Sequence, residues 1–289
     1  MAYAAKVLRD SVSPDGVRLT TMEVTFPRIV LAEFNTHRVF SRNSASSRAI
    51  PVEKMLNKVI DDPFIPIYWG KNQKGMQAEQ ELTEEEQKTA EEAWLIARSH
   101  AVADAARLFS LGIHKQITNR LLEPFLWHTV IVTATEWDNF WGLRCSKDAQ
   151  PEIRKIADMM RELYVASVPQ PVNYGDWHLP LVDPSEEFDL LASGMSIDDV
   201  CRVSVGRCAR VSYLTHDGKR DPKADIELAL RLQTSGHMSP SEHAARPFTM
   251  TEVAAAPRGC KAFCGNFRGW VQKRKELPNE SNFLLTQGA

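Results

Sequence analysis

The chain has 289 residues, 43% of them hydrophobic and 25% charged, with a formal net charge of −2. That balance fits a soluble globular protein with a sizeable core, and it argues against a broad nucleic-acid-binding face. No apolar run reaches membrane-spanning length and the N-terminus carries no signal-peptide core, so a cytoplasmic protein is expected. Five cysteines, an odd number and none in a C-x-x-C pair, read as free thiols. Phosphate-loop, G-x-G-x-x-G and G-x-S-x-G motifs are absent, which excludes the commonest nucleotide and hydrolase scaffolds.

Asp15 and Gly16 mark a turn before a strand in which Met22, Val24 and Phe26 alternate with polar residues. Pro27 breaks that strand and suits a helix start. Val30, Phe34 and His37 then share one helical face, with Glu33 one turn before His37, so a helix delivers His37 and Arg38 to its C-terminal end. Residues 33–48 are the densest functional signal. They hold His37, three arginines (Arg38, Arg42, Arg48), four serines and Asn43. Guanidinium forks grip phosphate or carboxylate through paired hydrogen bonds, and short hydroxyls complete such a grip. A solvated loop is the bland alternative, and His37 could equally be a hydrogen-bonded core residue.

Residues 49–75 read as irregular, with a packed aromatic and proline loop. Thr83 and Glu86 form a capping-box pattern opening a helix to about residue 111, with Gly112 as its stop. Pro124 is expected to end helical register near Arg120. V-I-V-T-A-T is a short strand. Asp148 is expected to cap a helix with Ile153, Ile156, Met160 and Leu163 on its apolar side. Arg144 then sits just before that N-terminus, where it either meets an anion or pairs with Asp148 or Glu152.

Residues 167–195, with four prolines and two glycines, form the best candidate linker or long loop. V-G-R-C-A-R-V-S-Y is a short element. Asp221 and Pro222 open a helix that Gly236 closes. G-H-M-S-P-S-E-H, residues 236–243, reads as a surface turn, or as an acid–base pair or cofactor contact through Glu242 and His243. The basic, aromatic tail suits ring stacking or a partner subunit.

Four pieces of the chain resemble the flavin-dependent thymidylate synthase family. His37 and Arg38, followed by Ser41, Asn43, Ser46 and Arg48, are similar to its arginine–histidine–arginine signature. D-N-F-W-G-L-R-C-S-K-D-A-Q-P-E-I-R, G-H-M-S-P-S-E-H and N-R-L-L-E-P resemble three further motifs. Thr36, Ser44 and Ala49 depart from the family's Arg, Glu and Tyr, and Glu33 replaces a Gln. G-H-M-S-P-S-E-H lies near the C-terminus instead of ahead of the signature, which implies a rearranged or circularly permuted member.

The resemblance implies an α/β fold of α+β type, an antiparallel sheet packed with a helical bundle. One domain would span residues 1–289, with an inserted segment near 60–90 and a Pro-rich loop near 167–195. It implies transfer of a one-carbon unit from methylenetetrahydrofolate to C5 of a deoxypyrimidine monophosphate, dUMP to dTMP, with FAD as cofactor and NADPH as reductant. Arg144 and Ser46 would be catalytic. Arg48, Arg120, Glu33, Ser46 and Arg144 would bind substrate. His37, Arg38, Asn139, His243, Asn43 and Arg268 would bind cofactor. A homotetramer with shared sites is implied, with no nucleic-acid or membrane partner and no metal. A carboxylate at Glu33 could accept from an exocyclic amine, which suits a cytosine nucleotide. The alternatives are a 5-hydroxymethyl product, a non-catalytic nucleotide- or RNA-binding protein, and a metal-dependent hydrolase built on His37, His237 and His243.

Overall fold

The computed structural model describes residues 2–211 and 220–282. Its centre is a five-stranded sheet in the order β3-β4-β2-β1-β5, made of β1 (Ala4–Val12), β2 (Arg18–Pro27), β3 (Ser41–Ser44), β4 (Trp127–Ala134) and β5 (Gln170–Pro171). The first four strands pair antiparallel, and β5 joins β1 in parallel. Met22, Val24 and Phe26 face the same way as Val130, Val132 and Ala134, as period-two alternation dictates. They pack against α1 (Leu31–Asn35), α5 (Asp138–Arg144) and α6 (Pro151–Ala166) through Phe34, Phe140, Ile153, Ile156 and Met160. The sheet thus forms one layer of an α+β fold, as expected.

The opposite face, with Leu19, Thr21, Ile131 and Thr133, is covered by α8 (Ile197–Val211) and by the C-terminal segment. Residues 177–182 contribute Trp177, Leu179 and Val182 to a second core with α8 and α9 (Pro222–Thr234). The Pro-rich stretch is therefore no free linker, and α7 (Pro184–Ala192) lies within it. A third cluster joins α2 (Val52–Asp61) to α3 (Glu84–Ser110), next to α4 (Lys115–Thr118). The C-terminal part adds β6 (Ala245–Pro247), α10 (Met250–Ala255), β7 (Phe263–Cys264), β8 (Phe267–Arg268) and β9 (Trp270–Gln272).

Several local expectations hold. The capping box at Thr83 and Glu86 forms on both sides, and Asp221 caps α9 through Lys223 and Ala224. Gly112 and Gly236 adopt φ of +78° and +77°, the left-handed conformation that suits glycine after a helix. Others are corrected. The helix at 27–38 is a 3-10 turn plus the five-residue α1, so His37 and Arg38 lie just beyond it. Residues 49–75 contain α2, whose Val52, Met55 and Val59 are buried at helical spacing. Asp148 caps nothing. α6 starts at Pro151 with Gln150 as its N-cap, because proline is favoured at the first helical position. Arg144 is therefore the last residue of α5, not the residue before a helix start. Residues 119–125 form a 3-10 helix that includes Pro124. The short element at 205–213 is the end of the 15-residue α8, and Ser212 and Tyr213 fall outside the described residues.

Candidate active site

β3 lies at the sheet edge, so its inward side chains are anchored and its outward ones are free for a ligand. Asn43 donates to Cys208 O (2.7 Å) and accepts from Ser239 Oγ (3.3 Å). Ser41 accepts from Gln272 (2.8 Å) and Asn266 (3.2 Å). Just beyond β3, Ser47 donates to Glu123 (2.8 Å), and Asn119 donates to Ser47 O (2.7 Å). The alternate residues Arg42, Ser44, Ser46 and Arg48 line an open cavity of about 500 Å³, together with His114, Gln116 and Ser239. That volume suits a small ligand. No carboxylate lines it. Arg38, Arg42, Arg48 and Arg144 form no ion pair with a carboxylate among the described residues.

A second centre sits where the chain turns from α1 into β3. His37 is buried edge-on against Phe140 and stacked on Phe40, with ring centroids 4.9 and 5.7 Å apart. Its Nε2 accepts from Arg144 Nε (3.0 Å). Arg144 Nη2 also donates to Glu33 O (3.2 Å) and Thr36 Oγ1 (3.0 Å), and Thr36 donates to Glu33 O (2.7 Å). Burial lowers the His37 pKa to about 4, the Arg144 and Arg42 charges add to the effect, and Asn139 opposes it. The ring is therefore neutral, with Nε2 as acceptor and the proton on Nδ1. Arg144 bonds neither Asp148 nor Glu152, because it belongs to α5. Glu33 Oε2 is buried without a partner.

Arg42 links the two centres. It lines the cavity and donates to Phe34 O and His37 O (both 3.4 Å). Burial lowers its pKa, Arg38 contributes, and Glu242 opposes. Arg274 holds Glu242 at 2.5 Å.

The remaining expected residues lie elsewhere in the chain. Arg120 pairs with Glu123 (2.7 Å) and lines a separate cleft of about 510 Å³ with Arg28, Asn35 and Glu123. Arg268 pairs with Glu136 (2.5 Å) and lies 4.7 Å from the Phe263 ring centre. His243 is wholly buried and bonded to Thr133 (2.7 Å), so residues 236–243 are not a surface turn. Burial lowers its pKa to about 3. As to the metal-hydrolase alternative, among the described residues no group of three or more His, Cys, Asp or Glu could hold a metal, and His237 is exposed while His37 and His243 are buried. Burial raises the thiol pKa of Cys201, and pushes that of Cys208 to about 12, which leaves both as inert core residues.

Sequence reasoning missed His114 and Gln116, because the four-residue α4 carries no periodic pattern. Thr36 registered only as a departure, yet it holds Arg144. Ser44 likewise registered as a lost Glu, and it leaves the cavity free of acid.

An antiparallel sheet backed by helices, with an arginine- and serine-lined cavity at its edge strand, defines an α+β protein with an acid-free cationic cleft. Residues 17–170, just over half of the chain, match the family described as Thymidylate synthase complementing protein, and the chain belongs to that family. Membership supports an enzyme acting on pyrimidine nucleotides at C5. No curated protein matches the sequence. Among solved structures, the UMP/dUMP methylase PolB from Streptomyces cacaoi bound with 5-Br dUMP is 14% identical, with a TM-score of 0.48. That match covers 57% of this chain and 90% of the other. The same methylase bound with 5-Br UMP gives 15% identity, 57% and 89% coverage and a TM-score of 0.48. The family match carries the assignment, since the structural likeness is too partial to add to it. The match runs unbroken through three of the four resembling pieces. The fourth, residues 236–243, lies outside it but folds back onto β3 through the Ser239–Asn43 bond.

Proposed function

We propose that the chain transfers a one-carbon unit from methylenetetrahydrofolate to C5 of a deoxypyrimidine monophosphate, dUMP to dTMP, with FAD as cofactor and NADPH as reductant. The observation that carries this reading is the acid-free Arg/Ser cavity on β3. Arg42 and Arg48 match the charge of a phosphomonoester dianion, and Ser44 and Ser46 supply short hydroxyls. Gln116 offers an amide to the sugar or base. Arg144 polarises the pyrimidine. Its guanidinium is held at rest on neutral acceptors and turns toward a ring oxygen where negative charge develops as C5 becomes nucleophilic.

The residues present also fit a flavin. His37 and Asn139 offer neutral polar contacts, Arg38 is an exposed cation suited to a diphosphate, and the buried Glu33 Oε2 lacks a donor that an N–H of a heterocycle supplies. When bound in reduced form, such a cofactor supplies the hydride that converts the transferred methylene to methyl. Arg120, Arg268 and His243 reach this site only if a further copy of the chain, or a shift of residues 236–243, brings them in. Phe109, Leu111, Ile113, Ile117 and Leu121 form an exposed apolar surface along residues 109–121, beside both clefts. This surface supports a homotetramer with shared sites.

The test is incubation with FAD, NADPH, methylenetetrahydrofolate and either dUMP or dCMP, followed by the mass of the nucleotide. A gain of one CH₂ on dUMP is expected. An unchanged mass for both nucleotides overturns the reading. The unsatisfied Glu33 carboxylate favours a second reading, a cytosine nucleotide bound through its exocyclic amine. Equal dUMP turnover by wild type and Glu33→Gln, with no dCMP binding by either, removes it.

A further inference from the structure

The sheet face opposite the main apolar core is polar where it is most buried. Ser11, Thr21, Thr133, His178 and His243 all lie inside the protein with no exposed surface. They form one continuous hydrogen-bonded chain. Ser11 Oγ meets His178 Nδ1 at 2.9 Å, and His178 Nε2 meets Thr21 Oγ1 at 2.8 Å. Thr21 Oγ1 meets Thr133 Oγ1 at 2.7 Å, and Thr133 Oγ1 meets His243 Nδ1 at 2.7 Å. Thr21 and Thr133 sit directly opposite in the β2–β4 register, which brings their hydroxyls together. Ser11 reaches the same face because β1 carries a bulge between Val7 and Arg9. The extra residue re-aims the strand, so Val7 packs in the apolar core while Ser11 faces the other way. Beyond His243 Nδ1 the hydrogen-bonded chain ends, and His243 Nε2 is buried without a partner among the described residues.

Burial keeps both imidazoles neutral, so each holds a single proton and the chain can be directed in only two ways. In the first, Ser11 donates to His178 Nδ1, and His178 Nε2–H donates to Thr21. Thr21 then donates to Thr133, Thr133 donates to His243 Nδ1, and the last proton stays on His243 Nε2. In the second, every bond reverses. His243 Nδ1–H donates to Thr133, and Ser11 accepts from His178. The first direction leaves one group unsatisfied, the His243 Nε2–H. The second leaves two, a bare His243 Nε2 and the Ser11 hydroxyl proton. Buried groups without partners are costly, so the first direction prevails.

We propose that Ser11 and His178 are positioning residues that fix, through Thr21 and Thr133, the tautomer of His243 and hold its proton on Nε2 as a buried hydrogen-bond donor. The group this donor fits is an acceptor, a carbonyl oxygen or a pyridine-type ring nitrogen. Only that choice of partner rests on the nucleotide reading above. The tautomer assignment stands on the geometry alone.

Nitrogen NMR of the full chain labelled at histidine tests the assignment, with the His243 signals identified by their loss in His243→Asn. In wild type, Nε2 is expected at a pyrrole-type shift and Nδ1 at a pyridine-type shift. Ser11→Ala removes the donor that breaks the tie between the two directions, so the His243 signals should move toward each other. Ser11→Thr, which keeps a hydroxyl, should restore them. Should Ser11→Ala not fold, Thr133→Val removes the donor that faces His243 Nδ1 with little change of shape, and the His243 signals should again move toward each other. A wild-type proton on Nδ1, or His243 shifts unchanged in the folded variants, overturns the proposal. Loss of dUMP turnover alone does not bear on it, because the spectra read the tautomer without substrate.

Discussion

Two regions of the molecule are rich in arginine, and they use it in opposite ways. On α8, Arg207 is gripped by Glu186 (2.6 and 2.7 Å), Asp225 (3.1 Å) and Leu181 O (2.7 Å). Arg210 shares Asp225, and Arg220 bonds Asp183 and Glu186. Each of these cations meets an acid from α7 or α9, or beside them. Around residues 33–48, Arg38, Arg42, Arg48 and Arg144 meet, among the described residues, carbonyls, a neutral imidazole and a threonine, and no carboxylate within ion-pair distance. The first set ties helices together, and its charge is spent internally. The second keeps its charge for a partner from outside. Arginine density alone does not mark a binding site; the absence of matching carboxylates does.

The sharpest break of this contrast is Arg207→Ala. It takes one of two cationic partners from Glu186 and from the buried Asp225, which keep Arg220 and Arg210, and should cost about 3 kcal/mol of stability in urea unfolding. Arg48→Ala should leave the unfolding midpoint unchanged and weaken deoxynucleoside monophosphate binding by about 1.5–3 kcal/mol in calorimetry, the range of a charge-assisted bond. A destabilised Arg48→Ala, or an undisturbed Arg207→Ala, would erase the distinction. Gly206→Ala comes next. Alanine normally favours a helix, but a Cβ here would lie 2.2 Å from Asp225 O, where α8 and α9 touch. The expected result is a loss of about 1–3 kcal/mol, with nucleotide affinity unaltered.

Acid should separate the two regions as well. His37 is held near pKa 4, and His128 and His243 near 3, below the ordinary value of 6.5. Their contribution is complete above pH 6.5. It declines as pH falls toward 4, because the unfolded chain binds protons that the folded chain refuses. Glu186 is lowered from 4.5 by its bond to Arg207, so its contribution is complete above 4.5 and is lost only at lower pH. Hydrogen exchange between pH 7 and 4.5 should show β4 and the residue 33–48 region loosening before α7, α8 and α9. Simultaneous loosening would contradict this order. The smallest effect is expected from Thr36→Val, which removes the bonds to Arg144 and Glu33 O and should cost about 0.5–1.5 kcal/mol.

Elements with local chemistry were legible from the residues. The alternation of Met22, Val24 and Phe26 specified β2, and Thr83 and Asp221 specified the starts of α3 and α9. Where two local signals competed, the reading failed. Asp148 looked like a cap, but Pro151 had the stronger claim on the helix start. Three residues singled out from the resembling motifs, His37, Asn139 and Arg144, do converge. Their arrangement was not legible. Arg144 turned out to close α5, and Arg120 opened onto a different cleft, because both positions depend on contacts more than a hundred residues apart or on helix ends set by single prolines. The burial of residues 236–243 had no signature either, since S-P-S-E-H reads as polar and finds its partners on β3, on β4, on α9 and at Arg274.

The bulge in β1 has a consequence of its own. A regular strand would send residues 5, 7, 9 and 11 to one side, so this single insertion divides the strand's labour between apolar packing and polar wiring. Deleting Leu8 would straighten the ribbon and leave the other pairings in place, Val7 opposite Met22 and Ser11 opposite Leu19. Were Leu8 instead taken into the ladder as an ordinary paired residue, one half of β1 would have to roll over, so that either Val7 leaves the hydrocarbon layer or Ser11 lets go of His178. The two layers are geared together by one surplus residue.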